Sequence, residues 1–402
     1  MTAAALPRVE TVVLQPTPFC NINCSYCYLP QRSDKSVMAL DTSVTLFGKL
    51  FASGWASPRL TVIWHAGEPL VLPVSYYQSA FEAIEALRPP GIELRHAIQT
   101  NGMLITPAWC ELFRQWHVGV GVGVSIDGPK RLHDAHRVTR SGRGTFERSL
   151  AGLRLLQAEG VTFHVITVLS AAGMDAPREL LAFYEAEGIA DICFNVEESE
   201  GDHVSDLLSG SDPRGRFRDF LQRFWTLSRQ ESKVRFIREI DGQLPRIFRP
   251  EGSAMVNPQV EPLGMLNVDC HGNVSSFSPE LLGCKHADYN DFIIGNVHTD
   301  SFEAMQQSPA MAAMTRDIAA GVDMCRQQWE YFSVCGGGAP VNKLAENGSF
   351  CSSRTRFCEL VQMVPTDLVL EAMDRMELQV EMTQTARPTP ATTPGPALRA
   401  TA

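Results

Sequence analysis

The chain has 402 residues, 44% of them apolar and 20% charged, with a formal net charge of −10. That length holds two or three units of ordinary domain size, roughly 100–200 residues each, so a single disulfide-stapled module is excluded and a substantial core is possible. The acidic balance argues against a general nucleic-acid binder, which needs a basic surface. Eleven cysteines, three of them at positions 20, 24 and 27, suit a reducing compartment and metal binding better than a disulfide framework. The start, MTAAALPRVE, lacks a basic stretch followed by an apolar one, and no window nears 18 uninterrupted apolar residues. A cytoplasmic protein with no membrane or nucleic-acid partner is expected.

After a tail at 1–9, short β-rich runs alternate with helical patterns across 10–202, which predicts β/α units around a parallel sheet. The expected strands are Thr11–Gln15, Leu60–Trp64, Glu93–Thr100, Val118–Ile126, Thr162–Leu169 and Asp191–Val196. A helix is expected over Asp41–Phe51, where Val44, Phe47 and Phe51 share a face. Six strands predict an open or partial barrel, with its chemistry at the C-terminal strand ends. Cys110 in a helical run and Cys193 in a strand read as core. Residues 203–258 read as a helical connector, with Phe217, Phe220, Leu221 and Phe224 on one face. Residues 259–362 hold six cysteines among glycines and short apolar runs, which predicts a loop-rich, metal-stabilised second domain. A last helix is expected over 363–380, and the Pro/Thr/Ala-rich tail at 381–402 reads as disordered.

The chemistry begins directly after the first strand, in PFCNINCSYCYLP. Cys20, Cys24 and Cys27 stand in a C-x3-C-x2-C spacing that chance would produce with a probability of only ~0.01. Zinc wants a fourth Cys or His close by, and none follows within thirty residues. Three thiolates on one loop can hold three irons of a 4Fe–4S cluster and leave the fourth open. With Tyr26 before the last cysteine, the segment resembles the radical S-adenosylmethionine (radical SAM) superfamily. The resemblance implies that SAM chelates the open iron and is cleaved reductively to a 5′-deoxyadenosyl radical.

Further segments extend the likeness. WHAGEPLV matches the family's GGEP-like turn with Ala66 in the first glycine position, Gly67 allowing close approach and Glu68 placed to accept from the methionyl ammonium; GEP is also an ordinary turn. QTNGMLI sets Asn101 near cluster and SAM, or merely forms an NG turn. In VSIDGPKRLHDAHR the resemblance implies that Ser125 meets the ribose, Asp127 faces the substrate cavity as a candidate proton acceptor, and Arg137 approaches the SAM carboxylate. Asp127 before Gly128-Pro129 also reads as a turn former. Backbone around Val168 would serve adenine. Asn195, Glu197 and Glu198 point to cavity or surface. His65 reads as packed more readily than as an acid or base.

The C-terminal cysteines follow the order of the SPASM extension. Longer blocks, including FSPELLG and CGGGAPVNK with ENGSF, look like the cyclophane-forming radical SAM/SPASM peptide maturases of the Grr type over about residues 10–365. The fold implied is a partial (β/α)6 radical SAM barrel with a C-terminal loop-rich SPASM-like metal-binding domain. The likeness implies a ribosomal precursor peptide as substrate, Gly/Arg-rich in this group, hydrogen abstraction from a side chain, a carbon–carbon crosslink, and a small reductase or a flavodoxin/ferredoxin-type protein as electron donor. Thioether synthesis, epimerisation, formylglycine formation and an inactive peptide-binding homologue stay open beside it. Trp329 stands where relatives often carry a cysteine, and Phe277 replaces the one after the HGN turn. One auxiliary iron–sulfur cluster on Cys325, Cys335, Cys358 and Cys351 is therefore expected, against zinc or no metal, while Cys270 and Cys284 stay unassigned. Asn342, Lys343 and Glu346 read as peptide contacts or as surface.

Overall fold

The computed structural model describes residues 8–118, 121–199, 203–230, 232–250, 253 and 255–374. Most of the expected N-terminal tail, the end of the last helix and the tail at 381–402 lie outside the described residues. Strands β1 (Val9–Leu14), β2 (Ala56–Trp64), β3 (Glu93–Thr100), β4 (Val122–Ser125), β5 (His164–Leu169), β6 (Asp191–Val196) and β7 (Phe236–Ile237) run parallel in chain order. The sheet continues beyond β1 through β8 (Met265–Val268), parallel to it, then antiparallel β9 (Asn273–Ser276) and β10 (Gly295–Asn296). The order β10-β9-β8-β1-β2-β3-β4-β5-β6-β7 makes an α/β sheet curved into a partial barrel.

The parallel part reads as the sequence does. β1 ends in the buried run Val12-Val13-Leu14 and β4 is buried from Val122 to Val124, as helices covering the sheet require, whereas β3 alternates and buries His96, Ile98 and Thr100. Helix α1 (Leu40–Ser53) buries Leu46, Phe47 and Leu50 and stops at Gly54, whose φ of 72° is the left-handed cap that glycine accepts without strain. Helix α2 (Val74–Leu87) buries Tyr77, Ala80, Phe81 and Ile84 at helical spacing. Helix α3 (Pro107–Gln115) contains the fully buried Cys110, and Cys193 is buried in β6.

Helix α4 (Pro213–Ser228) starts from Asp212, which accepts from the Gly215 amide at 2.8 Å. It seats Phe217, Phe220, Leu221 and Phe224 in the core, with Phe220 and Phe224 edge-on to Phe194 of β6 at 5.2 and 5.0 Å. Burying each of these aromatic side chains contributes about 1.5–3 kcal/mol, which fixes this helix to the barrel wall.

Two features depart from expectation. Six strands were anticipated, and the described residues hold ten. The additional ones have two to four residues each, too short for a period-2 pattern to stand out. The segment 259–362 is also less irregular than its cysteines and glycines implied, for it carries the 20-residue helix α5 (Pro309–Gln328), capped by Ser308 onto Met311 N. No helix among the described residues is long and apolar enough to cross a membrane.

Candidate active site

Parallel register levels the C-terminal strand ends. Leu14 pairs with Trp64, Trp64 with Ile98 and Ile98 with Val122, so the segments following β1 to β6 open on one end of the barrel. They enclose a cavity of about 260 Å³ whose wall includes Cys20, Cys24, Cys27, Tyr26, Gly67, Glu68, Asn101, Ser125, Arg137 and Val168. Nine of the ten are side chains or turns expected from the sequence, and Val168 comes from the strand expected to supply backbone.

The cysteine loop is held from both sides. Ile22 bridges Thr139, Asn23 N–H donates to Val138 O at 2.7 Å, and Ser25 N–H to His136 O at 3.1 Å. Arg32 donates to Cys27 O at 3.0 Å, and Arg140 to Cys20 O at 3.0 Å. The three thiols pack with Ile22 and Met103. Burial pushes Cys20 up to about 12 and Cys24 to about 11, so both would be thiols in this setting. Only a strong local positive charge turns such groups into thiolates, and a cluster of irons supplies one. The donor set therefore fits a 4Fe–4S cluster.

The next turn explains the glycine beside it. Gly67 has a φ of 85°, and a Cβ there would lie 2.4 Å from Thr17 O and 2.9 Å from Phe19 O, so the turn presses directly on the cysteine loop. Ala66 itself has a φ of 64°, a left-handed conformation that costs an alanine about 1–2 kcal/mol. Glu68 is buried. Its carboxylate accepts from Thr100 Oγ1 at 2.7 Å, Asn101 N at 2.8 Å and Leu70 N at 3.0 Å. Burial outweighs these donors and raises its pKa to about 6. Of roughly four lone-pair directions on a carboxylate three are used, which leaves room for one more donor. Asn101 ties β3 to the cysteine loop through Nδ2 to Asn21 Oδ1, 2.7 Å.

Asp127 requires a correction. It is buried and is not among the residues lining the cavity. Its carboxylate accepts from Arg137 Nε at 3.0 Å, Val168 N at 3.0 Å and the Tyr26 hydroxyl. These three donors turn it away from substrate and make it the anchor of Arg137, whose guanidinium lies 5.4 Å over the Tyr26 ring and 4.0 Å from Cys24 Sγ. Val168 spends its N–H on the same carboxylate, so that group does not face adenine.

The sequence left other positions open, and the structure gives each a place in the fold. Asn195, Glu197 and Glu198 all line the cavity. Glu197 pairs with His203 Nε2 at 2.9 Å, and Asn342 Nδ2 donates to Glu198 at 2.7 Å. Asn342 and Lys343 are buried, whereas Glu346 accepts from the Arg356 and Phe357 amides and so braces the backbone. His65 lines the cavity 3.2 Å from the Tyr28 hydroxyl, and burial lowers its pKa to about 4, leaving it neutral. Glu280, on the same wall, was missed. Its signal was the Ser-Pro-Glu turn in FSPELLG, which sequence patterning could not place across the sheet from β6.

In the C-terminal region Cys325, Cys335 and Cys358 are buried together with Trp329 and Met363. Gly336, Gly337 and Gly338 have φ of 65°, 110° and 76°. This backbone turns the Gly337 and Gly338 amides, with the Trp329 indole N–H, onto Cys335 sulfur, while Thr355 hydrogen-bonds Cys358. Burial raises both thiols. Amides converging on buried sulfur suit a metal thiolate centre. Cys351 is exposed and stands outside this packed group, so three of the four expected ligands come together and the fourth does not. A second cavity, about 460 Å³, is lined by Cys335 and Cys358 and shares Asn195, Val196 and Glu198 with the first.

Comparison with known proteins follows the same lines. The model of the radical SAM superfamily matches residues 14–183. A protein of Synechocystis sp. whose function is uncharacterized is 37% identical over 367 residues, covering 90% of this chain and 92% of the relative. A serine-type anaerobic sulfatase-maturating enzyme of Bacteroides thetaiotaomicron is 26% identical over 366 residues, 86% of each chain. The solved structure of native anSMEcpe with bound AdoMet and Cp18Cys peptide superposes with a TM-score of 0.73 at 17% identity, covering 93% of this chain and 99% of that one. This chain is a radical SAM enzyme, a member of the superfamily whose cofactors are a 4Fe–4S cluster and S-adenosylmethionine.

Proposed function

We propose that the chain modifies a ribosomally made precursor peptide by forming a carbon–carbon, cyclophane-type crosslink. The observation that carries the peptide reading is the pair of adjoining cavities, about 260 and 460 Å³, that share the β6 end. They meet at Asn195, Val196 and Glu198 and run from the wall that carries Cys20, Cys24 and Cys27 to the one that carries Cys335 and Cys358, a shape that suits an extended chain segment. Cys20, Cys24 and Cys27 would hold the 4Fe–4S cluster, and Cys325, Cys335 and Cys358 an auxiliary one. When bound, the first cluster and SAM supply reductive SAM cleavage and hydrogen-atom abstraction.

The chain's own residues bind and orient. Glu68 offers its remaining lone pair to a cofactor ammonium, and the Asp127-anchored Arg137 keeps a fixed cation beside Cys24 for a carboxylate. Ser125 sits at the end of β4 within reach of a ribose. Ile22 and Met103 pack buried apolar surface against the three cysteines, with half-buried Tyr26 beside them. Among the described residues no two cysteines are joined by a disulfide.

Formylglycine formation is the second reading, favoured by the 366-residue likeness to the sulfatase-maturating enzyme. Anaerobic reconstitution with SAM, reductant and a synthetic Gly/Arg-rich peptide carrying one aromatic residue separates the two. Crosslinking removes two hydrogens and leaves no carbonyl, whereas formylglycine reacts with a hydrazide. Absence of 5′-deoxyadenosine under every condition refutes both.

A further inference from the structure

With Asp127 turned away from the cavity, its expected proton acceptor is missing, and the structure supplies a candidate from across the sheet. Strand β9 ends at Ser276, and Phe277 then takes a φ of 71° while fully buried, a conformation rarely tolerated by a bulky residue. Strained backbone of this kind persists only where neighbours over-determine it. They do so here. Asn267 of β8 donates from Nδ2 to Ser278 O at 3.0 Å, Ser278 N–H donates to Ser276 O at 2.9 Å, and Leu282 N–H closes the turn Pro279–Leu281 onto Pro279 O at 3.1 Å. The Cys284 thiol donates to Glu280 O at 3.1 Å. The effect of all these contacts is to set Glu280 on the wall of the cavity that holds the cysteine loop.

The four carboxylates on that wall are not equivalent. Glu68 has three donors, Glu197 has His203 and Glu198 has Asn342. Glu280 accepts from the Ser278 hydroxyl two residues away, a partner on its own turn.

We propose that Glu280, positioned by Ser278 and the strained Phe277 turn, is the catalytic residue that takes the proton released when the peptide is oxidised. The proposal rests on the crosslinking reading. In that reaction the peptide loses two hydrogens and gains one carbon–carbon bond. One hydrogen leaves as an atom to the SAM-derived carbon, giving 5′-deoxyadenosine. The second leaves as a proton, to the Glu280 carboxylate, and its electron passes to a one-electron acceptor of the iron–sulfur class. Burial raises the carboxyl pKa, which strengthens it as a base toward a group in the same cavity.

The test uses Glu280→Gln, Glu280→Asp and Ser278→Ala in the reconstituted full-length enzyme with the synthetic Gly/Arg-rich aromatic peptide. Glu280→Gln should bind the peptide within about threefold of wild type, measured by fluorescence anisotropy without reductant. It should form 5′-deoxyadenosine within about twofold. Crosslinked peptide per 5′-deoxyadenosine should fall by about 100-fold, the usual scale for losing a general base. Glu280→Asp should restore part of that ratio, and Ser278→Ala should lower it less than Glu280→Gln does. An unchanged ratio in Glu280→Gln overturns the proposal. Loss of SAM cleavage or peptide binding in both Glu280 variants also overturns it, by showing a role in binding or folding. A wild-type enzyme that forms 5′-deoxyadenosine but no crosslink points instead to failure of the crosslinking reading.

Discussion

Replacing Asp127 by Asn tests whether the barrel's buried ion pair holds the cofactor side of the cavity in place. The Asp127 and Arg137 side chains are 3% and 8% exposed and 3.0 Å apart, so neither charge has water to fall back on. Asparagine keeps the shape and one acceptor, and it turns an NH2 group either toward Arg137 Nε and the Tyr26 hydroxyl, which share one oxygen, or toward the Val168 N–H, all of them donors. Breaking a buried pair from one side costs about 3–5 kcal/mol, because the surviving charge stays buried and unpaired. Unfolding entropy of about 2.1 cal/mol/K per residue amounts to roughly 0.8 kcal/mol/K over the chain, so the thermal midpoint should fall by about 4–6 °C. The comparison needs Arg137→Met and the double variant. Once both charges are gone the penalty for an unpaired ion disappears, and the double variant should lose at least about 2 kcal/mol less than the two single losses added together. Urea and thermal melts of the four proteins measure this cycle. A D127N protein within 1 kcal/mol of wild type, or strictly additive losses, would refute the account of Asp127 as an electrostatic anchor.

Other expectations follow from single sites. His96 is buried against the Phe81 ring at 4.0 Å, its Nδ1 accepts from Trp64 Nε1 at 3.3 Å, and burial lowers its pKa to about 3. It is neutral when folded and takes a proton more readily when unfolded, so its contribution is complete above about pH 6.5 and is lost as pH falls toward 3; His96→Phe should flatten the stability profile by up to about 1.4 kcal/mol per pH unit in that window. Ala66→Gly should gain about 1 kcal/mol by relieving the positive φ, whereas Gly67→Ala should destabilise the turn and abolish SAM binding, both read by melts and by equilibrium dialysis of SAM. Iron analysis after reconstitution should show Cys335→Ser losing about four irons per chain and Cys351→Ser losing none; equal losses would bring Cys351 back as a ligand.

Much of this could be read along the chain because the informative groups are local. Cys20, Cys24 and Cys27 lie on one loop, Gly67-Glu68 and Asn101 directly follow β2 and β3, Ser125 ends β4, and Arg137 lies in the segment after it. What escaped was contact between distant segments. The sequence marks Asp127 as a residue at a strand end, but its orientation depends on Tyr26 and Arg137, 101 and 10 positions away. Glu280 sits in a turn after a four-residue strand, and only the pairing of β8 with β1 carries that turn round to the cysteine loop. Cys351 satisfied a count of cysteines, while burial, which spacing does not reveal, separates it from Cys325, Cys335 and Cys358.

The pairing of β8 with β1 also limits how the gene can be cut. β1 sits between β2 and β8, with Thr11 to Leu14 in register with Met265 to Val268. A fragment ending at residue 258 would leave the Val12-Val13-Leu14 backbone as an open edge, offering unpaired amides and carbonyls to any passing strand. Such a fragment should self-associate, and the loop it feeds, which carries Cys20, would lose its fixed footing. Expression trials seeking a minimal SAM-cleaving barrel should therefore keep the chain through at least Asn296, where the last strand of the sheet ends.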